Sequence, residues 1–109
     1  MGVTKTDAYT EHQNIAAGFM KALGHPARIA IIEFLLEEDR CICSDLVEAL
    51  PLAQATVSQH LAELKKAGLI SGNISGTSVC YCLDKTAWAK CLSVLESLTN
   101  RVKEVTRCC

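Results

Sequence analysis

The sequence predicts a mostly helical α+β domain, a winged helix-turn-helix with about five helices and a two-stranded hairpin, and three observations predict it. Around Pro51 a short helical stretch is followed by a tight turn and a longer helical stretch. Beyond Leu69 the apolar period shortens from that of a helix to that of a strand. From Cys91 onward apolar residues recur at alternating steps of four and three. One domain spanning residues 1–109 is expected to hold all three, because a chain of this length supports one core.

Residues 1–7 are polar and expected to be loose. From about Ala8 to Leu23, Ile15, Ala16, Phe19, Met20 and Leu23 recur at helical spacing, and Gly24 ends that helix. Pro26 suits the first position of the next helix, about Ala27 to Glu37, with His25 just before it as a cap or structural residue. Ile29, Ile31, Ile32, Phe34, Leu35 and Leu36 make that helix apolar nearly all round, so it is expected to be the buried centre. Glu37-Glu38-Asp39-Arg40 reads as a solvated turn. Ser44 can cap a short helix over Asp45 to Leu50, which Pro51 ends.

In the longer helix Val57, Leu61 and Leu64 share one face, while Thr56, Ser58, Gln59, His60, Glu63, Lys65 and Lys66 cover the rest. Gly68 stops it after two lysines that suit a helix C-terminus. Short helix, turn and longer helix make a helix-turn-helix, whose second helix presents its N-terminal side chains to base edges in the major groove. A plain αα-hairpin that only packs a core is the bland alternative.

Two strands should follow, around Leu69, Ile70 and Ile74 and then Val79, Tyr81 and Leu83, joined at Ser75-Gly76-Thr77. Cys80 and Cys82 then face away from Val79, Tyr81 and Leu83. The tip of this wing carries no Arg or Lys, so Asn73, Ser75, Thr77 and Ser78 would have to donate hydrogen bonds to DNA. A terminal helix over about residues 84–107, capped by Asp84, carries the stripe Cys91, Leu95, Leu98, Val102, Val105 and Cys109. A stripe of about two and a half heptads must be buried, and pairing with a second copy is the expected means.

Half the residues are apolar and 21% are charged, which fits a packed core rather than disorder. No apolar run long enough for a membrane span is seen, nor a hydrophobic N-terminal signal, so a cytoplasmic protein is expected. The net charge of −1 is low for a nucleic-acid binder, but it is unevenly spread. Residues 1–50 carry 4 basic and 8 acidic groups, residues 51–83 carry 2 and 1, and residues 84–109 carry 5 and 3. The acid therefore sits away from the reading helix. Seven cysteines without a secretion signal point to metal ligands, redox thiols or buried fillers rather than a disulfide framework. No Gly-rich phosphate loop, nucleophile elbow or evident carboxylate pair marks an enzyme.

Over nearly its whole length the chain resembles the ArsR/SmtB family of bacterial winged-helix repressors. Three segments carry the resemblance: Ala22-Leu-Gly-His-Pro-Ala-Arg-Ile, Asp45-Leu-Val-Glu-Ala-Leu-Pro-Leu-Ala-Gln-Ala-Thr-Val-Ser-Gln-His-Leu and Lys65-Lys-Ala-Gly-Leu-Ile. Tyr81-Cys-Leu-Asp at the wing exit also looks like the family. The resemblance implies a homodimer that represses from a palindromic double-stranded operator until an inducer binds, and that has no membrane association. Carried onto this chain it makes Gln54, Thr56, Ser58, Gln59 and His60 the DNA-facing candidates, to which the reading above adds Lys65 and the wing residue Thr77. The two reading helices of a dimer should lie on the order of 34 Å apart.

Cys41-Ile-Cys43 looks like the family's metalloid-sensing pair, and As(III), Sb(III) and other soft ions prefer thiolates. No resident cofactor is implied. In the family pattern the second Cys directly precedes Asp-Leu, whereas here Ser44 intervenes. A third Cys inside the following helix is absent, so further ligands would come from Cys108 and Cys109, or less favourably from Cys80 and Cys82, which are on the order of 7 Å apart along one strand. Cys91, on the apolar stripe, reads as a small hydrophobe. The zinc site of some relatives uses His on the terminal helix, and this terminal helix has none. The expected function is a metalloid- or metal-responsive repressor. Its alternatives are a thiol redox or reactive-sulfur sensor of the same fold, and a protein-interaction module that does not bind DNA.

Overall fold

The computed structural model describes residues 8–43, 54–75 and 78–107. Helix α1 spans Glu11–Leu23 and opens with a capping box: Thr10 Oγ1 accepts from the Gln13 amide at 3.1 Å, and the Gln13 side chain accepts from the Thr10 amide at 3.0 Å. Helix α2 spans Pro26–Glu38, with Pro26 at the position where a missing N–H does no harm. His25 caps it through Nδ1, which accepts from the Ala27 amide at 3.0 Å. The helix runs one residue further than expected and stops at Asp39. That residue adopts the left-handed conformation (φ 52°), and its amide donates to the carbonyls of Leu35 and Leu36.

Strand β1 is Ile42–Cys43, helix α3 is Gln54–Lys66, strands β2 and β3 are Ile70–Ser75 and Ser78–Leu83, and helix α4 is Lys85–Lys103. Helix α3 ends as its sequence demands. Gly68, at φ +85°, donates to Lys65 O, and the Leu69 amide donates to Leu64 O, the paired bonds of a Schellman motif. Asp84 caps α4 by accepting from the Ala87 amide at 3.1 Å, and the Trp88 indole donates to Leu69 O at 3.0 Å, which ties α4 to the start of the wing.

One core joins all of these. Phe19 and Ala22 from α1, Ile31, Ile32 and Leu35 from α2, Val57, Leu61 and Leu64 from α3, and Leu69, Ile70, Ile42 and Cys91 are buried together. Each large aliphatic side chain so buried contributes roughly 1.5–3 kcal/mol.

Three expectations need correction. The sheet has three strands, not two, in the order β1-β3-β2, all antiparallel, with Ile42 opposite Tyr81 and Gly72 opposite Tyr81 on the other side. A hairpin leaves one edge of β3 open, and the fully buried Ile42 brings its backbone there. Helix α2 is not buried all round: Ile29 and Leu36 are exposed. The terminal helix stops at Lys103, so Val105 lies beyond it, and among the described residues of the apolar stripe only Cys91 enters the core while Leu95, Leu98 and Val102 point outward. Four helices lie among the described residues, and the short helix expected over Asp45–Leu50 lies outside them.

Candidate nucleic-acid interface and thiol site

Helix α3 divides cleanly into two faces. Val57, Leu61 and Leu64 are buried against α2 and β2, while Ala55, Ser58, Gln59 and Ala62 are exposed and Thr56 is half-buried. A flat patch of two alanines flanking Ser58 and Gln59 lets another surface approach the helix backbone closely. Gln54 opens the helix. Lys65 is exposed near its end, and its stem lies over Gly72 of β2, where an added Cβ would stand 3.2 Å from Nζ. The bare glycine thus leaves room for the lysine between helix and wing. Thr77 lies outside the described residues.

His60 does not belong to the exposed face. It is only 7% exposed, and its Nδ1 accepts a hydrogen bond from Arg28 Nε at 3.0 Å. Its position explains this: it follows Val57 by three residues and precedes Leu64 by four, so it shares their face. Its ring also lies against that of His25, centroids 4.4 Å apart. Burial first, then the neighbouring His25 and Arg28, holds His60 below its ordinary pKa and keeps it neutral. Arg28 Nη1 meanwhile donates to the carbonyls of Lys21 and Ala22 at 2.9 and 3.3 Å. A cation there meets the negative end of α1, adding to the Gly24 amide that Lys21 O already accepts. Arg28 was not singled out from the sequence, where its place two residues after a helix-starting proline was the available signal.

The cysteines converge. Strand register sets Cys43 opposite Cys80, with Cα atoms 3.8 Å apart, and Cys41 lies across from Cys82 with Cα atoms 4.4 Å apart. Each cross-strand pair is joined as a disulfide. Because Ile42 and Tyr81 turn toward the core, the alternating cysteines occupy the opposite face of the sheet. Ser71 and Asn73 of β2 continue the same two rungs, opposite Cys82 and Cys80. Cys41 is exposed and the other three are half-buried. Cys91 is apart from them, buried in the core, and burial raises its thiol pKa, so it stays a protonated filler. Cys108 and Cys109 lie outside the described residues.

Four sulfurs on one face of two adjacent strands form a donor set suited to a thiophilic ion when reduced. Paired as disulfides they offer no thiolate. While they are paired, no group of three or more His, Cys, Asp or Glu side chains among the described residues is placed to hold an ion. No described helix is long and apolar enough to cross a membrane.

The profile of the family described as "Bacterial regulatory protein, arsR family" matches residues 25–71, from the cap of α2 through the first residues of the wing. The chain is 49% identical over 67 residues to the HTH-type transcriptional repressor SmtB of Mycobacterium tuberculosis, which covers 61% of this chain and 49% of that one. It is 33% identical over 90 residues to the cadmium resistance transcriptional regulatory protein CadC of Listeria innocua, covering 82% of this chain and 72% of the relative. Among solved structures, an ArsR-like transcriptional regulator from Rhodococcus sp. RHA1 shares the fold with a TM-score of 0.70, at 22% identity over 86% of this chain and 88% of that one. These matches set aside an enzyme and an interaction module without DNA. The chain, a winged helix-turn-helix with a cysteine-bearing sheet, belongs to the ArsR family of DNA-binding transcriptional regulators.

Proposed function

We propose that this protein is a cytoplasmic homodimeric repressor that reads a palindromic operator and lets go when its cysteine thiolates bind a soft ion, As(III), Sb(III) or Cd(II). The juxtaposition of Cys41, Cys43, Cys80 and Cys82 supports it most. These cysteines lie at the start of and within β1, upstream of α3, and on the wing strand β3 that follows it. An ion held between β1 and β3 acts on both ends of the reading unit at once. Cadmium is included because a relative over most of the chain is a cadmium resistance regulator. Arsenite and antimonite are included because trivalent metalloids favour the same ligands. The exposed Ser58 and Gln59, with Gln54, Thr56, Lys65 and Thr77, are the DNA contacts.

Fluorescence anisotropy of the fully reduced protein on its own upstream DNA tests this reading. Salt-sensitive binding is expected, then release at near one ion per chain. The double variant Cys41→Ser with Cys43→Ser should bind DNA and ignore the ion. Absence of binding even at low salt would remove the repressor reading. Binding that no thiophilic ion reverses would remove the sensing.

A further inference from the structure

The four sulfurs that an ion would need are the same four that close the two cross-strand disulfides. Both arrangements cannot exist together, because a sulfur in a disulfide has no lone thiolate to offer. The juxtaposition also needs no partner subunit, since both strands belong to one chain. Access is available at one end: a cleft of about 570 Å³ opens beside the Cys41–Cys82 rung, lined also by Leu36, Arg40, Lys85 and Trp88.

We propose that Cys41, Cys43, Cys80 and Cys82 form a redox-gated ion site within a single subunit: reduced, the four thiolates hold one soft divalent ion, and a hydroperoxide abolishes the site by closing the Cys41–Cys82 and Cys43–Cys80 disulfides. This rests on the reading above that the cluster is the sensor. The chemistry balances. A thiolate sulfur attacks the peroxide, the O–O bond breaks, and an alcohol or water leaves. The sulfenic acid so formed condenses with the cross-strand thiol, an S–S bond forms, and a second water leaves. Each rung gives up two protons and two electrons to one peroxide, so two peroxides close the cluster. The cleft directs the first oxidation to the Cys41–Cys82 rung. A bound ion occupies the thiolate lone pairs and blocks the attack.

The test uses the full chain, reduced and metal-free, with cadmium chloride and hydrogen peroxide as probes. Cadmium is followed by its thiolate charge-transfer absorption, and sulfurs by intact mass and by alkylation mapping. One cadmium per chain is expected, protecting these four cysteines from alkylation and leaving Cys108 and Cys109 open. Peroxide added first should lower the mass by about 4 Da, two hydrogens for each disulfide, with mapped 41–82 and 43–80 links and no cadmium band. Cadmium added first should slow that loss by at least about tenfold. The pairwise variants Cys41→Ser with Cys82→Ser, and Cys43→Ser with Cys80→Ser, should keep native circular dichroism and each form only the remaining link.

An oxidised chain that still takes up cadmium would overturn the proposal, as would protection of Cys108 and Cys109 in place of the wing cysteines. Operator binding is measured in parallel. If cadmium and peroxide exclude each other at this cluster but neither changes DNA affinity, the redox-gated site stands and the sensor reading falls. If DNA is released by cadmium in a chain lacking all four cysteines, both fall.

Discussion

The guanidinium of Arg28 reaches from α2 to the last carbonyls of α1 and to His60 on α3, so one side chain fixes how the reading helix sits on the two helices behind it. Arg28→Met keeps the apolar stem but takes away the donor to His60 Nδ1 and to Ala22 O, and one of the two donors to Lys21 O. It should lower stability by about 1.5–3 kcal/mol, read as an earlier urea midpoint with an unchanged slope. An unmoved midpoint would show that water replaces the arginine. His60 must stay neutral to accept from Arg28. Its pKa in the folded chain lies below the ordinary 6.5, so this stabilisation is complete above about that pH and is lost as the pH falls toward the lower folded value. The fall in melting temperature between about pH 7.5 and pH 5.5 should therefore be steeper in the parent chain than in His60→Gln, compared by calorimetry. Equal slopes would mean that His60 titrates as it does unfolded. This histidine was open to view in the sequence, three residues from Val57 and four from Leu64; its polarity drew it to the DNA side, and the amphipathic spacing was the better guide.

At the scale of elements, α3 exposes Ser58 and Gln59 between Ala55 and Ala62, away from the core face. Ser58→Ala and Gln59→Ala should each weaken specific operator binding by about 1–3 kcal/mol, measured by anisotropy, with sedimentation unchanged. Normal affinity in both variants would displace the reading face from this part of the helix. Helices α2 and α4 were legible at their starts because their caps are local, His25 with Pro26 and Asp84, whereas α1 begins at Glu11 rather than at about Ala8 because the Thr10–Gln13 capping box was not read. Strand β1 was not legible. Two residues have no period, and Ile42–Cys43 becomes a strand only because β3, far along the chain, offers it an open edge. The cysteines failed in the same way. Each Cys-x-Cys reads correctly as a pair on one side of its own segment, but the rungs link positions 37 and 41 residues apart, and register across such a distance is a tertiary fact. The Cys80 and Cys82 pair was accordingly ranked below the terminal thiols, whereas the sheet sets it beside Cys41 and Cys43.

For the whole molecule, the outward side of α4 carries a run of exposed aliphatic residues, Leu92, Leu95, Leu98 and Val102, the last 69% exposed. A second copy is the cover proposed for them. Leu95→Glu with Leu98→Glu should give a monomer by sedimentation velocity and lower affinity for a palindrome at least about a hundredfold, because two half-sites are no longer bound by linked heads. A variant that stays dimeric would place the contact elsewhere. The two rungs also have a consequence for connectivity. Cys41 and Cys82 flank α3 and the hairpin, so once those sulfurs join, the reading helix lies inside a covalently closed ring of about forty residues, which by chain entropy alone restricts the unfolded state by roughly 4 kcal/mol. A protease cutting once within that ring would open it without releasing a fragment, and only reduction would let the two halves part.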